Sequence, residues 1–331
     1  MTNGTGLHRR DVISFIAASI ATWPVTTQAQ TVKIHRVGFL SSSTAPKYAA
    51  LIDAFDAGLR DHGYEEGKNI AIEFGFANDD NARLPELAAD LIKRNVEVVV
   101  TQGTPATRAA KQASQTLPIV MAVAGDAVTV GLVRSIARPG GNVTGNTFFA
   151  PELAAKRLEL LKQAAPQIQR IAVIVNPGNP VSDLVTQAMG HAAASLKLEL
   201  TQFPVTASDQ LQPTFSKIGT GKFDAVVIYE DGVTIGNAPL IAKLATDQKL
   251  PLAGFASMAT SGALIGYGAD LPALFRRAAY FVDMILKGNE PTNLPVERAE
   301  RFRFIINLKT ARALGLALSP MLLAGADQVI E

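Results

Sequence analysis

A chain of 331 residues, 48% of them hydrophobic, is long enough for two domains of ordinary size, each with its own buried core. Its 31 lysines and arginines against 29 aspartates and glutamates leave a formal net charge of +2, which gives no electrostatic reason to expect a nucleic-acid partner. Cysteine is absent, which excludes disulfides, a thiolate nucleophile, cysteine-ligated metal and a lipidated cysteine.

Residues 1–29 read as a removable export signal. His8-Arg9-Arg10 supply positive charge, Val12 to Val25 form a short apolar stretch, and Thr27-Gln28-Ala29 fits a small-residue cleavage site. The stretch is broken by Ser14, Ser19, Thr22 and Pro24 and falls short of the roughly 20 residues a membrane span needs, so no stable membrane insertion is expected. Arg9-Arg10 resembles a twin-arginine signal, but Val12 replaces the usual phenylalanine and leaves the general secretory route open. The expected location is free in a periplasm.

A strand from Ile34 to Leu40 leads into a helix over 46–63, with Leu51, Ile52, Phe55 and Leu59 on one face. Ile70, Ile72, Phe74 and Phe76 alternate as a strand, and 81–95 returns to helix with Leu84, Leu87, Leu91 and Ile92 inward. A strand over 96–100, a helix over 105–115, a strand over 119–123 and a helix over 130–137 complete a first run. Arg138-Pro139-Gly140-Gly141-Asn142 is a breaker cluster, and the chain is expected to cross to a second lobe around Gly145. These glycines do not sit between a strand and the helix it opens, so they form a turn and no phosphate cradle.

The second run places helices over 151–165, 181–196, 208–218 and 237–248 between strands over 170–175, 198–203, 223–229 and 251–255. A helix over 270–287 follows, with Leu274, Ala278, Phe281, Val282 and Ile285 on one face and Gly288 at its end. Pro295-Val296 and Phe302 to Asn307 read as extended, and a last helix begins near Lys309.

Three strand-and-loop segments recur roughly 130 residues later. Val37 to Leu40 and its Ser41–Pro46 loop match Ile171 to Val175 and its Asn176–Pro180 loop; Val98 to Val100 with Thr101–Thr104 match Ala225 to Ile228 with Tyr229–Gly232. Leu117 to Val123 with Ala124–Asp126 match Leu250 to Phe255 with Ala256–Met258. Polar loops follow strands in most α/β proteins, so the weight rests on six of them in matched order. The fold class is α/β, two Rossmann-like lobes with parallel sheets, and a ligand belongs beyond the carboxyl ends of the strands, in one cleft.

Arg36 to Leu40, Arg138 to Gly145, Leu286-Lys287-Gly288, Leu294 to Glu297, Ile306 to Ala311, Leu314-Gly315 and the ending Ala326 to Glu331 resemble the solute-binding proteins of bacterial ABC importers, specifically the tryptophan/tyrosine-type family. The resemblance implies a type I periplasmic-binding fold whose lobes, joined by a three-crossing hinge, close on a small molecule. It assigns 30–145 with 268–292 to lobe 1 and 146–267 with 293–331 to lobe 2. It further implies a monomeric receptor without enzymatic activity whose partner is the membrane permease of an ABC importer.

Ser42, Ser43, Thr44 and Thr104 bring hydroxyls to helix N-termini, where a carboxylate is favoured, with Gln102 and Gly103 in the same loop set. Asp126, Glu230 and Asp231 offer negative charge to an ammonium; Tyr48, Phe148, Phe149, Tyr229 and Phe255 could enclose a side chain. Asn176, Asn179 and Ser257 complete the candidates. The set describes a zwitterionic amino acid, aromatic ones included. The same hydroxyls serve as helix caps and the asparagines as turn formers, and both roles stay open. No arginine falls in the six loops, which argues against a phosphate or dicarboxylate ligand. His8, His35, His62 and His191 all lie outside the strand-end loops and no Gly-x-Ser-x-Gly elbow is present, so no catalytic residue, cofactor or metal is expected. The rival readings are an exported enzyme working through Asp126 and Glu230, and a ligand-sensing module for a membrane receptor.

Overall fold

Short apolar runs become strands where both faces can be covered, and the chain forms two such sheets in the computed structural model, which describes residues 1–2 and 33–331. The expected export signal thus lies outside the described residues, apart from its first two. The first sheet contains β1 (His35–Ser41), β2 (Ile70–Phe76), β3 (Val98–Gln102), β4 (Ile119–Gly125), β5 (Val143–Phe148) and, from far along the chain, β11 (Glu297–Arg298), in the order β2-β1-β3-β4-β5-β11. The second contains β6 (Arg170–Val175), β7 (Glu199–Pro204), β8 (Ala225–Ile228), β9 (Leu252–Gly254), β10 (Ile265–Ala269), β12 (Phe302–Asn307) and β13 (Gln328–Ile330), in the order β7-β6-β8-β9-β10-β12-β13. Five strands therefore repeat one order in each sheet, β1 answering to β6, β3 to β8 and β4 to β9. All these pairings are parallel except β10 with β12.

Helices α1 (Ala45–Asp61), α2 (Leu84–Lys93), α3 (Gly103–Ala113) and α9 (Leu271–Leu286) cover the first sheet; α4 (Ala150–Ala164), α5 (Ser182–Leu196), α6 (Leu211–Thr220), α7 (Gly232–Gly236) and α8 (Ala238–Asp247) belong with the second. Two short helices, α10 (Leu308–Ala313) and α11 (Pro320–Ala324), close the chain. Phe39 centres the first core among Phe55, Phe74, Phe76 and Phe275, with ring centroids 5.7 to 6.3 Å away. Asn146 holds α9 to this lobe by donating to Leu274 O at 2.9 Å and Ala122 O at 3.2 Å. One hydrophobic cluster runs through both sheets, and residues 33–331 form one compact unit.

Three strands are not expected from the sequence pattern, β5, β10 and the short edge strand β13, and glycine explains the first two. Gly145 sits in β5 at φ +114°, and a methyl there would lie 2.6 Å from Met121 N, at the irregular register of β4 with β5. In β10, Gly266 and Gly268 accept the close approach of neighbouring groups, so the apolar run that marks a strand is lost. The helix expected over 130–137 does not form. Residues 127–137 make turns instead, with Gly131 at φ +75° and Leu132 N bonded to Ala127 O at 2.8 Å.

The chain passes between sheets at Phe149, at Asp270 and at 299–301. Strand pairing keeps 146–148 and 297–298 with the first sheet and 268–269 with the second, a shift of a few residues from the positions expected at 145, 267 and 292. The cause is the strands themselves: β5, β10 and β11 run on to the crossings.

Candidate functional site

The carboxyl ends of both sheets face each other. On the first, the loop after β1 is held by its own serines: Ser41 Oγ donates to Gln102 Oε1 at 3.2 Å and accepts from Ser43 N at 3.2 Å. Ser43 Oγ donates to Asp79 Oδ1 at 3.0 Å, and Asp79 N to Ser42 O at 2.8 Å. Thr44 occupies the N-cap position of α1 without a side-chain cap bond. Thr104 ties the β3 and β4 ends together, its hydroxyl donating to Gly125 O at 3.4 Å and accepting from Gly125 N at 3.2 Å.

On the second sheet, Asp231 organises the wall. Its Oδ1 accepts from Asn176 Nδ2 at 3.0 Å and Val233 N at 2.9 Å, and its Oδ2 from Asn179 Nδ2 at 3.0 Å. It caps α7 in a capping box with Thr234. Burial pushes the Asp231 carboxyl upward while these donors pull it back. Tyr229 is fully buried behind the wall; its oxygen accepts from Asn176 N at 3.1 Å and its hydroxyl donates to Asn176 O at 3.3 Å.

Glu230 is the exception. Its Oε1 pairs with Arg157, which is fully buried and reaches in from α4, while its Oε2 is buried without a hydrogen-bond partner. Arg157 Nε also donates to Tyr267 O at 2.7 Å and Nη1 to Ile228 O at 3.3 Å. Arg157 is not among the predicted site residues, because it lies on a helix and outside the six strand-end loops. The available signal was an arginine on the inward stripe of α4, between Leu153 and Leu161.

Contacts across the cleft come from Gly232 against Ser42, Gly236 against Ser43 and Lys47, and Gly125 against Val181. Lys47 Nζ donates to Asn237 Oδ1 at 2.9 Å across the interface while pairing with Asp79 on its own side. Tyr48 lies nearby, fully buried; the Gln102 side chain is beside its hydroxyl without hydrogen-bond geometry.

Between the walls is a cavity of about 20 Å³. Of the predicted residues, it brings together Ser42, Gln102, Gly103, Thr104, Asn179, Glu230 and Asp231, with Phe148, Val181 and Ile235 as apolar lining. The other predicted residues do not line it. Ser43 and Asn176 stand behind as supports, Thr44 is partly exposed at the head of α1, and Phe255 is core. Ser257 is exposed in the short 3-10 helix Ala256–Met258, and Phe149 is exposed under the Arg298 guanidinium, 4.5 Å from its ring centroid. Asp126 flanks the first crossing, where its Oδ2 accepts from Ala150 N at 3.0 Å, and burial pushes its carboxyl up to about 6. A larger groove of about 950 Å³ lies by the crossings; of its four arginines, Arg276 pairs with Asp61 and Arg277 with Glu297, and none of the predicted site residues lines it. Among the described residues no cluster of histidine, aspartate or glutamate converges as a metal site, and no helix is long and apolar enough to cross a membrane.

The family described as ABC transporter substrate binding protein matches residues 40–330. A curated relative, the "Tyrosine-binding protein" of Clostridioides difficile, is 29% identical over 263 residues, covering 79% of this chain and 75% of its own. The structure of a conserved domain protein from Vibrio cholerae is similar at 28% identity and TM-score 0.82, covering 89% of this chain and 99% of that one. A Streptococcus ABC domain in complex with L-Trp is 25% identical with TM-score 0.81, covering 90% and 100%. The ligand-free, open structure of a substrate-binding protein from Clostridium difficile, also 25% identical and covering 90% and 99%, superposes less well, at TM-score 0.61.

Proposed function

The chain belongs to the ABC transporter substrate binding protein family, and on that premise we propose that it is an extracytoplasmic receptor that captures an amino acid, aromatic ones included, between its lobes and delivers it to an ABC permease. Proteins of this family are extracytoplasmic and bind a small ligand for such a permease. We place this one free in the periplasm as a monomer, acting as a receptor without turnover.

The observation that carries the reading is the pair of facing strand-end walls, built on one repeated strand order, with polar groups converging from both on a small cavity. Ser42, Gln102, Gly103 and Thr104 from one lobe and Asn179, Glu230 and Asp231 from the other make the ligand contacts, while Ser43, Thr44, Asp126, Asn176 and Tyr229 shape the loops behind them. Relatives named for tyrosine binding and solved with L-Trp support the amino-acid class.

The lobes, 33–148 with 271–298 and 150–269 with 302–331, turn about Phe149, Asp270 and 299–301. A space of about 20 Å³ admits a water and no amino acid, so entry requires the lobes to part. Better superposition on the L-Trp complex than on the open relative, at equal identity, supports a closing motion. Contacts made only when both lobes touch the ligand drive it.

A thermal-shift screen of the twenty amino acids tests the ligand class, since a ligand at 100 times its dissociation constant adds about 2.7 kcal/mol. Aromatic members are expected to raise the melting temperature. No shift with aromatic or branched amino acids would remove the amino-acid class and leave the receptor role standing.

A further inference from the structure

Three carboxylates stand at the strand ends, and they are not equivalent. Asp231 already accepts three hydrogen bonds, from Asn176, Asn179 and Val233, so little of its acceptor capacity is left for a ligand. Asp126 is bonded to Ala150 N and lies outside the cavity lining. Glu230 lines the cavity, is 7% exposed, and keeps one oxygen, Oε2, buried and unpartnered. A buried carboxylate oxygen without a donor is costly, and a donor arriving with the ligand removes that cost.

The other oxygen cannot turn away. Arg157 grips Oε1 and is itself fixed by the carbonyls of Tyr267 and Ile228. Gly268 leaves the room for this: a methyl there would lie 2.8 Å from Glu230 Oε1 and 2.9 Å from Arg157 Nη2. The guanidinium also offsets the buried charge, so Glu230 is half of a neutral pair. Across the cleft, Ser42, Gln102 and Thr104 offer uncharged groups.

We propose that Glu230 Oε2 accepts the ammonium group of the ligand, with Arg157 as a positioning residue, and that this pair makes the amine a requirement for binding. The assignment rests on the amino-acid reading above. It makes the ligand a zwitterion oriented amine to lobe 2, and it excludes acids of the same shape that lack the amine. A site built to hydrogen-bond one polar group rejects the analogue without it strongly.

Isothermal titration of the full receptor with L-tyrosine and L-tryptophan, against 3-(4-hydroxyphenyl)propionate and indole-3-propionate, tests it. Wild type is expected to prefer the amino acid at least about 100-fold. Glu230→Gln keeps the shape and turns an acceptor into a donor; the preference should collapse to less than about tenfold, through loss of amino-acid affinity, with the amine-free acid unchanged or improved. Arg157→Lys keeps the charge without the planar fork and should lower the same ratio about tenfold while the melting profile stays cooperative. Gly190→Ala, in α5 where a methyl touches nothing within 4 Å, should leave the ratio at the wild-type value. If no amino acid binds wild type, both the ligand class and this assignment fall. If amino acids bind and Glu230→Gln keeps the wild-type ratio, the assignment alone is overturned; an unchanged ratio in Arg157→Lys removes the positioning role.

Discussion

Gly232→Ala isolates lobe closure from lobe stability. A methyl on Gly232 would lie 2.6 Å from Ser42 Cβ, and its nearest neighbours all belong to Ser42, on the opposite lobe. Ordinary carbon contacts sit at about 3.5 to 4.0 Å, so closure would stop roughly 1 Å short or force side chains off their rotamers. Overpacking of this kind costs about 1 to 3 kcal/mol, here charged only to the closed form. Affinity for the captured amino acid should therefore fall about 5- to 150-fold. Lobe 2 itself gains no clash, and alanine at the first position of α7 meets no backbone strain. Titration calorimetry on wild type, Gly232→Ala and Gly190→Ala makes the comparison; Gly190 lies in α5, and a methyl there touches nothing within 4 Å. Wild-type affinity in Gly232→Ala would refute the idea that ligand binding brings Ser42 and Gly232 together.

Three other outcomes follow from single residues. The Asp126 carboxyl is raised from 3.8 to about 6, so the folded state binds its proton more tightly than the unfolded one; this stability is fully present below pH 3.8 and is lost as pH rises through 6. Allowing for screening of its exposed side, it amounts to about 1 kcal/mol, and Asp126→Asn should flatten the difference between denaturation midpoints at pH 4 and pH 7 by that amount. Tyr48→Phe deletes a buried hydroxyl that has no partner and should raise stability to chemical denaturation by about 1 kcal/mol; a comparable loss would mean the hydroxyl is bonded. Gly145→Ala combines φ +114° with a methyl 2.6 Å from Met121 N and should cost about 3 kcal/mol or more, read from the urea midpoint.

The matched strands β1 and β6, β3 and β8, β4 and β9 were legible because they are unbroken apolar runs followed by polar loops. Their partners β5 and β10 were not, because close backbone approach demanded glycine where a strand shows valine or isoleucine. The loops also misled in one respect. Asn176 and Asp231 carry the chemistry of ligand contacts, yet spend most of it on each other and on the α7 cap, a use that depends on tertiary proximity and leaves no local spacing. Arg157, Lys47 and Asp79 act at the cleft from helices and from a neighbouring loop, outside the six strand ends where the pattern places ligand contacts. Glu230 was named for its charge; what distinguishes it from Asp231 is an unpartnered oxygen, which no sequence displays.

The absence of cysteine allows two introduced thiols to be labelled without interference. With donor and acceptor dyes on Glu86→Cys in α2 and Leu240→Cys in α8, both exposed and on opposite lobes, energy transfer reports the angle between lobes directly. Capture by closure predicts that a saturating aromatic amino acid changes the transfer efficiency to a single new value, and that Gly232→Ala requires more ligand to reach it. Calorimetrically verified binding with no change in transfer, in this pair and in a second pair placed across the cleft, would contradict the account.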